Sequence, residues 1–210
     1  MIRRGLILDF GGVLTSAVPD CAYAFDARSG LAPGSFLAVI SQNPQGAALY
    51  ADLERGAISQ AEWNRQTGEL LGIDGTDLLE RVLEDLHPEP GMISAAMAAK
   101  AAGIRVGIFS NSLGREPFDI YQGYGLDQYG PVLVSEDYRM RKPDAKLYPI
   151  MLDLMELPAD QCVFVDDTKR NLVPAEQLGI ATVLAGGNPR STIAEVESLL
   201  GIPLATRVDP

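Results

Sequence analysis

Five short apolar runs without polar alternation constrain this chain more than any other feature. They fall at residues 5–8, 104–109, 132–134, 162–165 and 180–184. A strand covered on one face alternates apolar with polar residues, whereas a strand covered on both faces is apolar throughout. Amphipathic stretches of helical length separate the later runs, at 92–102, 144–156, 169–178 and 192–200. Gly103, Gly179 and Gly201 follow three of them and Pro158 the fourth, the residues that commonly end helices. Buried strands alternating with such helices predict an α/β protein with a parallel, doubly wound, Rossmann-type sheet.

The interval between the first two runs breaks this rhythm. Residues 16–87 carry helical patterns, Gly/Pro punctuation and no strand signal, and are too many for an ordinary crossover. A small helical domain of residues 16–87 over the sheet is expected, with residues 1–15 and 88–210 forming the core. Pro19 at one end, and Pro88, Pro90 and Gly91 at the other, suit hinges. A length of 210 residues fits one large domain carrying a smaller one.

Composition excludes several classes. A formal charge of −11 argues against nucleic-acid binding, which needs a basic surface. No apolar run approaches the ~20 residues of a membrane span, and Asp9 interrupts the opening apolar stretch too early for a signal peptide. Two cysteines, Cys21 and Cys162, make no disulfide framework and are read as buried thiols of a reducing, cytoplasmic compartment. A single histidine removes most histidine-centred metal sites and makes a Ser-His-Asp triad a poor fit.

In an open parallel sheet, ligands bind beyond the carboxyl ends of the strands. Those ends carry Asp9, Ser110-Asn111 and Asp166-Asp167, and the loop after the third run carries Arg141-Lys142-Pro143-Asp144. Singly, each reads as a turn, a helix cap or a solvated side chain. Together they bring three carboxylates, a hydroxyl and a lysine to one crevice. Carboxylates so close repel unless a cation sits among them, and an oxygen-only donor set points to Mg²⁺. The lysine and the Ser110 hydroxyl can hold a phosphoryl group, and an aspartate can attack its phosphorus. These residue types therefore suggest metal-assisted phosphoryl transfer.

Four motifs also resemble those of the haloacid dehalogenase (HAD) superfamily of hydrolases: Leu8-Asp9-Phe10-Gly11-Gly12-Val13-Leu14, Phe109-Ser110-Asn111-Ser112, Lys142-Pro143-Asp144, and Phe164-Val165-Asp166-Asp167 followed by Asn171. The interval 16–87 matches the family's helical cap in its C1 position. The chain is similar to the branch containing the phosphatase domain of soluble epoxide hydrolases and related sugar-phosphate phosphatases. The resemblance implies Asp9 as nucleophile and Mg²⁺ ligand, with the Gly11 carbonyl and Asp167 as further ligands and Asp166 supporting the metal shell. It implies that Ser110, Asn111 and the Gly11-Gly12 loop hold the phosphoryl group, and that Lys142 neutralises charge. The expected partner is a small phosphorylated metabolite; oligomeric state is not legible.

One position departs from the family. Most HAD phosphatases carry a second aspartate two residues after the nucleophile, as general acid and base, and here that position is Gly11. Three readings follow. A phosphatase could favour good leaving groups or borrow an acid from Asp20, Asp26 or Asp52. A different hydrolysis at Asp9, such as dehalogenation, would fit the missing aspartate but not the Asp166-Asp167 pair. A non-catalytic phosphoester-binding or interaction protein would use the same fold.

Other conspicuous residues have plainer readings. His87 suits a hinge or surface position, Trp63 the packing of the helical domain, and Arg28, Arg55 and Arg65 solvated helix positions. Tyr121, Tyr124 and Tyr129 read as packing residues, and residues 78–85 as an exposed acidic helix face. Arg139 and Arg141, beside Lys142 in an acidic chain, are expected to draw an anionic ligand to the cleft.

Overall fold

The computed structural model describes residues 3–204; those parts of the expected core domain that fall at residues 1–2 and 205–210 lie outside it. Strands β1 (Gly5–Leu8), β2 (Arg105–Ser110), β3 (Val132–Val134), β4 (Cys162–Asp166) and β5 (Ala181–Leu184) form one parallel sheet in the order β3-β2-β1-β4-β5. All five expected strands form. β1 is central, with Gly5 in register with Arg105 on one side and Cys162 on the other.

Side chains alternate along a strand, so each strand contributes to both layers. Leu6, Leu8, Val106, Ile108, Val163 and Val165 join one apolar cluster, and Ile7, Phe109, Leu133 and Phe164 the other. Helices α6 (Pro90–Ala101) and α9 (Pro189–Leu200) contribute to the first cluster, α7 (Leu147–Met155) and α8 (Lys169–Gln177) to the second. Covered faces on both sides explain why the strands read as continuous apolar runs.

Five helices fill the interval between β1 and β2: α1 (Val18–Arg28), α2 (Ser35–Ser41), α3 (Pro44–Glu54), α4 (Gln60–Leu71) and α5 (Leu78–Val82). Asn43 caps α3 by accepting from the Gln45 and Gly46 amides, and Ser59 caps α4 by accepting from Glu62. Trp63 is fully buried at their centre, its ring 6.2 Å from Phe36 and 6.2 Å from Tyr50. The chain enters and leaves this insert side by side: Thr15 bridges Pro88, the Ser16 amide donates to the His87 carbonyl at 2.8 Å, and the Glu89 amide donates to the Leu14 carbonyl at 2.9 Å. The insert's apolar residues join the same cluster as one face of the sheet, so insert and sheet share a continuous core. Among the described residues, no helix is long and apolar enough to cross a membrane.

Candidate active site

Where the strand order reverses direction about β1, the carboxyl ends of β1, β2 and β4 open on one crevice. Asp9 follows β1, Ser110 ends β2 and Asp166 ends β4. The three carboxylates of Asp9, Asp166 and Asp167 each bring an oxygen within 4.8 Å of the others.

Lys142 organises them. Its side chain is fully buried, with the ammonium 5.1 and 5.4 Å from the ring centres of Phe109 and Phe164. It donates to the Phe109 carbonyl at 2.8 Å and Asp166 Oδ2 at 2.6 Å, and lies 2.9 Å from Asp9 Oδ1. Burial alone would push the ammonium pKa down; Asp166 and Asp9 outweigh it and hold the pKa above the usual lysine range.

Asp9 Oδ1 also accepts from the Phe10 amide at 2.7 Å, whereas Oδ2 accepts no hydrogen bond among the described residues. Burial raises the Asp9 pKa well above the usual carboxylate range; Lys142 pulls it down, and repulsion from Asp166 and Asp167 raises it further. Burial likewise raises Asp167. Carboxylates crowded in this way are stabilised by a hard cation among them. The oxygen-only donor set of Asp9, Asp166 and Asp167 therefore fits Mg²⁺. Asp166 is the most engaged of the three, accepting from Lys142, from the Thr168 amide at 2.8 Å and from Asn171 Nδ2 at 3.0 and 3.2 Å.

The loop after β1 shows why it is glycine-rich. Gly12 has a φ of +70°, and a Cβ there would lie 2.3 Å from Asp167 Oδ2. Gly11 is different: a Cβ would meet only Val18 Cγ2, at 3.4 Å. The missing second aspartate is thus a feature of the sequence, not a demand of the backbone. The amides of Gly11 and Asn111 donate no hydrogen bond among the described residues.

The Asn111 side chain is engaged within the protein. Its Oδ1 accepts from the Lys142 amide at 2.8 Å, and its Nδ2 donates to the Lys142 carbonyl at 3.3 Å. Asn111 thus grips the Lys142 main chain with its side chain, and its own amide stays unpaired among the described residues. Ser110 Oγ accepts from the buried Tyr121 hydroxyl at 2.9 Å, so Tyr121 orients the site rather than only packing.

Arg139 and Arg141 do not face an open cleft. Arg139 donates to the Gly56 carbonyl, and Arg141 Nη1 lies 2.6 Å from Glu54 Oε2. Their charge is directed at the helical insert, a correction to the expectation that it is offered to a ligand. Glu54 was missed in the sequence; burial pushes its pKa up, with Arg141 pulling it back.

Of the three expected acid donors, one adjoins the crevice. Asp20 lines a cavity of about 390 Å³ together with Gly12, Thr15, His87 and Asp167. Asp26 is buried and accepts from the Gly34 and Phe36 amides at 2.7 and 3.1 Å, fixing the turn between α1 and α2. Asp52 pairs with Arg55 at 2.5 Å. Arg28 pairs with Glu84 and Asp85, and Arg65 with Glu62 and Glu69, so none of these arginines is free.

A parallel sheet with an aspartate cluster at its carboxyl edge defines the class of open α/β proteins that bind ligands at that edge. The family model for haloacid dehalogenase-like hydrolases matches residues 4–179, and the chain belongs to that family. Phosphoglycolate phosphatase of Rhodospirillum rubrum is 26% identical, over 93% of this chain and 85% of that protein. Sesquiterpene phosphatase astK of Aspergillus oryzae is 25% identical over 72% of this chain and 79% of its own length. The chain matches 19% of the length of mouse acyl-CoA dehydrogenase family member 10, at 23% identity over 96% of this chain. Among solved structures, the HAD family enzyme bt-2542 of Bacteroides thetaiotaomicron, in its magnesium complex, shares the fold with a TM-score of 0.68 at 16% identity, covering 90% of this chain and 96% of that one. L-2-haloacid dehalogenase of Xanthobacter autotrophicus shares it with a TM-score of 0.65 at 17% identity, over 98% of this chain and 85% of that one.

Proposed function

We propose that the chain is a Mg²⁺-dependent hydrolase of a small phosphate ester or anhydride, acting through an aspartyl-phosphate on Asp9. One observation carries the reading. Asp9 presents one oxygen to Lys142 and the Phe10 amide and keeps the other free, beside the carboxylates of Asp166 and Asp167. The relatives named as phosphatases support the phosphate and differ in what it is attached to.

Asp9, Asp167 and the Gly11 carbonyl would hold the ion, with Asp166 behind them. An ion bound there would offset the negative charge of the phosphate, so that a carboxylate could approach phosphorus. The Gly11 and Asn111 amides and the Ser110 hydroxyl hold the phosphoryl oxygens, and Lys142 balances the charge of Asp9 and the phosphate. Asp9 Oδ2 forms its bond to phosphorus as the bond to the leaving oxygen breaks, and that oxygen departs with the bonding pair. Water then attacks phosphorus, gives its proton to solvent, and releases inorganic phosphate and the free carboxylate. The helical insert is read as a cap over this site, and the substrate as a phosphorylated metabolite of the cytoplasm.

Gly11 supplies no carboxyl to protonate the leaving oxygen, and such a group typically contributes ~10²–10⁴-fold. Leaving groups stable as anions, such as aryl and acyl phosphates, are therefore favoured over alkyl phosphates. Of the carboxyls considered as a substitute acid, Asp20 is the one that shares a cavity with Gly12 and Asp167.

Phosphate release from aryl, acyl, sugar and nucleotide phosphates, with and without Mg²⁺, tests the reading. Release should depend on Mg²⁺ and vanish in Asp9→Asn while the circular dichroism spectrum is retained. Equal turnover by Asp9→Asn would sink the mechanism.

A further inference from the structure

The buried carboxylate of Glu54 has no part in the chemistry just described, yet it sits against residues that have one. It ends α3, in the helical insert, and its partners come from the loops after β2 and β3. Oε1 accepts from Asn111 Nδ2 at 3.3 Å, and Oε2 lies 2.6 Å from Arg141 Nη1, an ion pair not aligned as a hydrogen bond. Both partners then converge on one atom. Asn111 Nδ2 donates to the Lys142 carbonyl at 3.3 Å, and Arg141 Nε donates to the same oxygen at 3.3 Å. Glu54, Arg141, the Lys142 peptide and Asn111 close a ring, and the side chain leaving that ring is the one that holds Asp9 and Asp166.

The main chain of Glu54 is fixed as well. Its carbonyl accepts from the Ser135 hydroxyl, whose oxygen in turn accepts from the Ser112 amide at 2.7 Å. Nearby, Gln60 donates to the Leu113 and Phe118 carbonyls at 2.8 and 2.7 Å and accepts from the Phe118 amide at 3.0 Å. These contacts already join insert to core through neutral groups. A buried charged pair is a costly way to add one more, because desolvation offsets most of its attraction. What the pair adds is a directed hold on the Lys142 peptide.

We propose that Glu54 is a positioning residue: through Asn111 and Arg141 it couples the docked helical insert to the placement of Lys142 over Asp9. This rests on reading Asp9 and Lys142 as the reacting pair. Glu54 acts as an anchor and not as a proton donor, since both of its oxygens are turned to Asn111 and Arg141. A misplacement of about 1 Å at a reacting centre can cost on the order of 10²-fold in rate.

Two measurements test it on Glu54→Ala and Glu54→Gln. The first is amide hydrogen exchange of the 140–143 segment, where Asn111 Oδ1 holds the Lys142 amide, and it needs no substrate. Glu54→Ala should speed exchange there by about tenfold or more, with the β4 segment unchanged. The second is the hydrolysis of p-nitrophenyl phosphate with Mg²⁺. Glu54→Ala should lower kcat by about tenfold or more with KM within about threefold, and Glu54→Gln, which keeps an acceptor for Asn111, should recover part of it. Unchanged exchange at 140–143 overturns the proposal, as does an unchanged kcat in folded Glu54→Ala or a loss that only tracks the unfolded fraction. Absence of turnover by the unsubstituted protein counts against the hydrolase reading instead, and exchange alone then decides the coupling.

Discussion

Lys142 and the two glycines after Phe10 concentrate the chemistry into a few atoms. An ammonium with no exposed surface is tolerable only because three oxygens surround it, and removing one partner of such a buried pair typically costs ~3–5 kcal/mol. The adjacent glycines make a contrasting pair. Gly11→Asp adds a side chain where the backbone admits one, with Val18 the nearest neighbour. It should fold normally and raise the alkyl-to-aryl rate ratio by about tenfold or more, as a supplied general acid would. Gly12→Ala instead sets a methyl against Asp167 on a backbone that side chains rarely adopt. It should weaken Mg²⁺ binding by about tenfold or more, read by calorimetric titration. Equal behaviour of the two variants would contradict the roles assigned to them.

At the scale of elements, α4 centres the insert on Trp63. Trp63→Ala should destabilise by roughly 3–5 kcal/mol, the usual cost of emptying a buried aromatic site. Trp63→Phe should cost far less in a denaturant titration, because it keeps the contact with Phe36 and Tyr50 and deletes an indole N–H that is buried without a partner. The strands were legible because burial on both faces leaves an uninterrupted apolar run, and their ends were legible because topology alone places ligands there. Boundaries were less so. α7 begins at Leu147, not 144, since Asp144 turns the chain by accepting from the Lys146 amide; α9 begins earlier than expected, at Pro189, since Asn188 caps it. Glu54 and Tyr121 were illegible as site residues. What fixes Glu54 is Asn111, 57 residues away, and what gives Tyr121 a role is the aim of its hydroxyl at Ser110. Arg139 and Arg141 misled for the same reason: their acceptors belong to a distant segment.

Across the whole molecule, insert and sheet share one apolar cluster, and the crossings at Thr15 and Pro88 lie side by side. A shared core predicts a single cooperative transition. Trp63 is the chain's one tryptophan and lies within the insert, so its emission reports that part while far-UV circular dichroism reports the whole. The two thermal midpoints should coincide; a separate, earlier change in emission would mean that the insert melts alone. The sealed position of Lys142 has a last consequence, for covalent labelling. Lys100, Lys146 and Lys169 are exposed, whereas the Lys142 amine is protonated, hydrogen-bonded and walled off by two phenylalanine rings. Acylating reagents can decorate the folded surface without touching it, so in the native protein the lysine nearest the nucleophile is the one that chemical modification leaves intact.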